Sequence, residues 1–87
     1  VSFGHLNQVC SQVARILREE REKRGLSMTV LAARAGLSRA MISFVEREIR
    51  NPSLETLLRI AHVLEMDLGK IITKANKSAA KKQAVKA

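Results

Sequence analysis

Ser-Met-Thr-Val-Leu-Ala-Ala-Arg-Ala-Gly-Leu-Ser-Arg-Ala-Met-Ile-Ser-Phe-Val-Glu-Arg-Glu-Ile-Arg-Asn-Pro-Ser occupies residues 27–53, and its punctuation decides the fold. Ser27 is a helix N-cap, because its hydroxyl can accept a bond from a free N–H of the first turn. Val30, Leu31 and Ala35 then form an inner side. Gly36 suits the left-handed backbone of a tight turn, and Ser38 caps a second short helix. Arg50-Asn51-Pro52 breaks that helix, and Ser53 caps the next. The stretch therefore predicts helices at about 28–35 and 39–48 with only a three-residue turn between them.

The same reasoning extends outward. Leu6, Val9, Cys10, Val13, Ile16 and Leu17 recur at three- and four-residue steps, which places them on one face of a helix at about 6–24. Gly25 stops it. Beyond Ser53 a fourth helix is expected at 54–64, and Asp67 caps a short fifth at 68–73. No strand-like alternation or internal repeat is present. The fold class is all-α, with one five-helix domain over residues 1–72. Residues 73–87, rich in Lys and Ala, have nothing to bury and are expected to form a basic tail that is disordered or a frayed helical extension.

Eighty-seven residues support one modest core, and with two Phe and no Tyr or Trp that core is aliphatic. A single cysteine excludes an internal disulfide and a Cys-based zinc site. Cys10 lies on the apolar face of the first helix and is expected to pack there. His5 and His62 have no ligand spacing to each other or to Cys10, so no metal is expected. No serine has an evident His/Asp partner and no glycine-rich phosphate loop occurs, so neither catalysis nor a cofactor is expected. Apolar runs fall far short of the ~18 residues of a membrane span, and no signal-peptide pattern opens the chain. A cytoplasmic, nucleoid-associated protein is expected.

Sixteen Lys and Arg against eight Asp and Glu give a net charge of +8. Residues 1–72 hold 11 basic and 8 acidic residues, a net +3, and residues 73–87 hold five lysines and no acid. A polyanion is the natural partner. Nucleic acid and anionic membrane both satisfy the charge, and the helical motif separates them. Two short helices across a glycine turn have the layout in which one lies over the DNA backbone and the next enters the major groove. On the second of them Met41, Ile42 and Val45 face the core. Arg39, Ala40, Ser43 and Arg47 lie opposite, with Phe44 on a flank. Small residues let the backbone approach a groove, and Arg39 can donate two bonds to guanine O6 and N7. Arg39, Ala40, Ser43 and Phe44 are therefore the candidate base contacts. Ser27, Met28, Ser38, Arg47, Arg50 and Asn51 are candidates for the DNA backbone, since the capped helix starts offer free N–H groups to phosphates.

The stretch Leu-Arg-Glu-Glu-Arg-Glu-Lys-Arg-Gly-Leu-Ser (17–27), with Leu31-Ala32, Ala35-Gly36-Leu37-Ser38, Ile42-Ser43, Val45-Glu46-Arg47 and Arg50-Asn51-Pro52-Ser53-Leu54, resembles the phage-repressor/Cro (XRE-like) helix-turn-helix family. The likeness covers about residues 13–72. It implies a compact five-helix, lambda-repressor-like domain that binds operator DNA as a dimer, and it implies that Arg21 pairs with Glu46. Within that family, the run from Ile42 to Leu54 looks most like the controller proteins of restriction-modification systems. Three positions depart from the family pattern. Met28 stands where Gln usually contacts a phosphate. Phe44 stands where a polar residue often reaches the bases; it either touches a thymine methyl or packs against the second helix or a partner subunit. Glu48 stands where Gly commonly ends the third helix.

The fourth helix is apolar over more than one face. Leu54 and Leu58, with Ile71 and Ile72, are the candidate dimer surface, unless the fifth helix covers it. The leading expectation is a sequence-specific transcriptional regulator, a repressor or autoregulator, acting as a homodimer on double-stranded DNA with no small-molecule ligand evident. The rivals are an antitoxin-type interaction module that also binds its operator, and a non-specific DNA-compacting protein that uses the lysine tail.

Overall fold

The computed structural model describes residues 3–86 and, within them, the side chains of residues 3–81. It holds five helices, and no strand occurs among the described residues. They are α1 (Phe3–Lys23), α2 (Met28–Ala35), α3 (Arg39–Glu46), α4 (Leu54–Val63) and α5 (Leu68–Lys86). The caps act as their chemistry requires. The hydroxyls of Ser27, Ser38 and Ser53 accept bonds from the N–H groups of Val30, Met41 and Thr56 at 3.0–3.1 Å. Asp67 does the same for Lys70 at 3.1 Å.

Four helices end in the same way. After each of α1 to α4 one residue turns left-handed: Gly25 (φ 69°), Gly36 (φ 69°), Glu48 (φ 59°) and Glu65 (φ 55°). The following N–H reaches back to the last turn, from Leu26 to Arg21, Leu37 to Ala32, Ile49 to Phe44 and Met66 to Ala61. These are Schellman closures, each followed by an apolar residue. Glycine adopts this backbone without strain, whereas glutamate carries its Cβ into it. Glu65→Gly is therefore expected to stabilise the protein by roughly 0.5–1 kcal/mol, read as a raised denaturation midpoint. The exposed Arg24–Glu65 pair that it removes, at 3.2 Å, offsets little of this.

Leu17, Leu31, Ile42, Ile60 and Leu64 are the largest fully buried side chains. They form one aliphatic core drawn from α1 to α4 and closed by Leu68, Ile71 and Ala75 of α5. The structure changes three expectations about what is buried. Cys10 is exposed rather than packed, and Leu6 is 47% exposed. The buried stripe of α1 passes instead through Val13, Ala14, Leu17 and Arg21. Val30 is also exposed, and Ala32 takes its place inside α2.

The largest difference is at the C-terminus. Residues 73–86 continue α5 as a helix rather than forming a loose tail. Ala75 and Ala79 are fully buried, and α5 packs extensively along α1. Small side chains at a four-residue spacing let two helix backbones approach closely, so alanine anchors this helix by proximity rather than by volume. The side chains of Lys82 and Lys86, both assigned to the tail, lie outside the described residues, as does residue 87.

Candidate nucleic-acid interface

Between α2 and α3 the chain turns through 112° over Gly36, Leu37 and Ser38. That angle lies within the range of a helix-turn-helix. Two constraints fix Gly36. Its φ of 69° disfavours any side chain, and an added Cβ would stand 3.0 Å from Nη1 of Arg59. Arg59 reaches over the turn from α4, donates to the carbonyl of Ala35 at 3.3 Å, and is paired with Glu55 at 2.9 Å. Nothing in the sequence marked Arg59 as a brace of the turn. Its only signal was a Glu55–Arg59 spacing that also fits an ordinary surface ion pair.

Ile42 and Val45 bury α3 on the core, and Met41 packs beside them. The opposite face is open. Arg39, Ala40 and Arg47 are exposed, as are Ser27 and Ser38 at the helix starts and Arg50 and Asn51 in the exit loop. No hydrogen bond or ion pair among the described residues engages Arg39. Ser43 is half-buried. Met28 is partly buried against the core, and its backbone N–H lies in the first turn of α2, where no helical carbonyl precedes it. Phe44 is half-buried beneath the guanidinium of Arg50, whose carbon lies 4.8 Å from the ring centroid. This cation–π contact makes Phe44 a support that holds Arg50 in place.

Two links fix α3 against α1. The fork of Arg21 donates to both oxygens of Glu46, at 2.6 and 3.0 Å, and its third nitrogen donates to the carbonyl of Leu26 at 2.7 Å. The hydrogen bonding of Arg21 to Glu46 raises the Arg21 pKa, against the desolvation that lowers it. Ser11 of α1 donates to the carboxylate of Glu48 at 2.5 Å, which engages the left-handed residue at the α3 exit. The sequence held no signal for this second link.

On α4, Leu54 and Leu58 are 64% and 50% exposed, and Ile72 of α5 is 37% exposed. Ile71 is different. It is 2% exposed and belongs to the chain's own core, so it drops out of the candidate dimer surface. Among the described residues no group of three or more His, Cys, Asp or Glu side chains is placed to hold a metal. No single helix among them is long and apolar enough to cross a membrane.

Comparison with known proteins decides what this arrangement belongs to. The helix-turn-helix family pattern matches residues 17–71. This chain belongs to the helix-turn-helix family. Relatives of the domain include the HTH-type transcriptional regulator SlrR of Bacillus subtilis, 35% identical over 57 residues, which are 64% of this chain and 38% of that one. An uncharacterized HTH-type transcriptional regulator of Mycobacterium tuberculosis is 42% identical over 50 residues, 58% of this chain and 36% of that one. The helix-turn-helix chain thus spans under two fifths of these relatives' length. Its fold is shared by the clp gene regulator ClgR of Corynebacterium glutamicum, with a TM-score of 0.77 at 24% identity, covering 90% of this chain and 83% of that one. It is also shared by a mutant of the restriction-modification controller protein C.Esp1396I bound to an operator site, with a TM-score of 0.72 at 26% identity, covering 84% and 96%. The SlrR and Mycobacterium tuberculosis relatives are HTH-type transcriptional regulators.

Proposed function

We infer that this helix-turn-helix domain binds double-stranded DNA sequence-specifically, inserts α3 into the major groove, and regulates transcription as a repressor or autoregulator. The observation that carries the reading is the open face of α3. Arg39 and Ala40 stand free at its N-terminal end, while Ile42, Val45 and the Arg21–Glu46 pair hold the helix rigidly from behind. Residues at the start of a recognition helix are the ones that reach base edges. Backbone phosphates would meet the capped starts of α2 and α3, with Arg47, Arg50 and Asn51 alongside. That the controller protein sharing the fold is bound to an operator site supports operator DNA as the ligand.

The working form is a homodimer on a palindromic operator. Leu54 and Leu58, one turn apart and exposed on α4, with Ile72, supply the apolar surface for a second copy. Two-fold symmetry would set the recognition helices ~34 Å apart, one turn of DNA. Selection of bound sequences from a random duplex pool tests both statements. Enrichment of an inverted repeat is expected; an unenriched pool would overturn specific binding, and a single unrepeated site would overturn the dimer.

Phe44 enters this reading through Arg50. Phe44→Ala is expected to weaken cognate and random duplex about equally, by roughly 0.5–1 kcal/mol, because Arg50 loses its platform. A loss confined to the cognate site, measured by titration of both duplexes, would instead assign Phe44 to base readout.

A further inference from the structure

Acidic residues end at Asp67, and beyond it every charged residue of the chain is lysine. Lys70, Lys74, Lys77 and Lys81 follow at steps of four, three and four. At about 100° per residue they fall within an arc of about 60°, and at about 1.5 Å of rise they span about 16 Å. All four are exposed. Elsewhere Arg15, Arg18, Arg24 and Arg59 each pair with a glutamate one turn away. Lys23, Arg34, Arg39, Arg47 and Arg50, which have no ion pair among the described residues, are scattered over α1 to α3 and the α3 exit and form no such line. No ion pair among the described residues reaches the lysines of α5. Buried Ala75 and Ala79 fasten that helix to α1, so the line of charge sits on a fixed rod.

The line also has a direction. Ile72 lines an apolar groove together with Val13, Arg50, Asn51 and Pro52. Around α5 it stands about 170° from the middle of the lysine line. The lysines therefore face away from the loop that carries Arg50 and Asn51. Their surroundings narrow the partner. Among the described residues the arc is flanked by Thr73 and Ser78, and the one exposed apolar residue beside it, Ala80, is too small to anchor in a bilayer. Among those residues it also lacks the aromatic or aliphatic anchor that a protein interface centres on. Evenly spaced, uncompensated point charges suit the phosphate backbone of a duplex, which carries its charges at short regular intervals whatever its sequence.

We propose that the lysine line of α5 is a second, sequence-independent contact for duplex DNA, turned away from α3, so that a molecule bound to its operator holds another DNA segment. The proposal rests on the DNA-binding reading above, and its test separates the two. The full chain is loaded on an immobilised duplex carrying the selected site and offered a labelled duplex of random sequence. Wild type is expected to capture the second duplex, with capture falling about 150-fold between 50 and 200 mM salt, as four released counterions require. The triple variant K74Q/K77Q/K81Q is expected to lose at least tenfold of the capture and keep operator affinity within twofold. Gln and Lys have similar helix propensity, and helical content by circular dichroism checks that α5 persists. The corresponding triple arginine variant should restore capture.

Equal capture by wild type and the glutamine variant would overturn the proposal. So would absence of capture with operator binding intact, or lysine-dependent binding to phosphatidylglycerol vesicles in place of the random duplex. Failure to bind any selected site would overturn the α3 reading instead. In that case, lysine-dependent binding of random duplex would leave the α5 contact standing, and its absence would overturn that as well.

Discussion

Arg21→Ala is expected to destabilise the protein by about 3–5 kcal/mol, a large share of the ~5–15 kcal/mol that holds a small domain together. The side chains of Arg21 and Glu46 are 10% and 4% exposed. The guanidinium satisfies both oxygens of the carboxylate as well as the Leu26 carbonyl at the α1 closure. Truncating it strands a buried carboxylate and a carbonyl together, and the cost is that of unpaired burial rather than of one lost contact. Arg21→Lys keeps the charge and loses the fork, so an intermediate loss is expected. Replacing both residues with leucine should cost less than the single Arg21→Ala, because no charge is left without a partner. Urea denaturation of the four proteins checks this ordering. A loss under 1 kcal/mol for Arg21→Ala would mean that the pair behaves as a solvated surface bridge.

The pH dependence of this term follows from its sign. Arg21 titrates above its ordinary value in the folded protein. Its contribution is therefore fully present below the unfolded arginine value and is lost only as pH rises through the folded one. On the arginine side, stability is expected to be flat across the neutral range. The pair also has a functional consequence, since Glu46 is the last residue of α3. Variants that loosen it should blur the presentation of Arg39 even where the fold survives.

What could be read in the sequence was its punctuation. Ser27, Ser38, Ser53 and Asp67 cap helices because each can accept an N–H bond from its own first turn, an interaction local enough to read without a fold. Gly25 and Gly36 marked two helix ends for the same reason. Glu48 and Glu65 did not, although they adopt the same left-handed backbone. At those positions the closure is imposed by the chain on either side and, at Glu48, by Ser11, a residue 37 positions away. The extent of α5 is not legible from hydrophobicity, because alanine reads as a residue with nothing to bury. Leu68, Ile71, Ala75 and Ala79 do repeat at helical spacing, and a reading that scored small residues as close-packing sites would have continued the helix. Ile71 and Ile72 were adjacent candidates for one surface, yet neighbours on a helix face about 100° apart, and only Ile72 stays exposed. Arg59 was beyond reach altogether, since its role depends on α4 crossing behind the turn.

Arg39→Ala is expected to cost about 1–3 kcal/mol on the cognate duplex and little on random DNA. The difference between the two losses is the quantity that matters. An arginine bonded to phosphate contributes equally to every sequence and reduces the salt slope by about one when removed. An arginine bonded to guanine O6 and N7 contributes only where that base pair stands, and leaves the slope almost unchanged. We propose the second role for Arg39. It is the first residue of α3, it is exposed, and no ion pair or hydrogen bond among the described residues holds it elsewhere. Arg47, one residue beyond the end of the same helix, is the internal control. Assigned to the backbone, it should lose affinity on both duplexes and flatten the salt dependence. Equal losses on cognate and random duplex for Arg39→Ala would sink direct readout by this residue. Specificity would then have to come from Ser43, from van der Waals contact at Ala40, or from the shape of the DNA that the two arginines bracket.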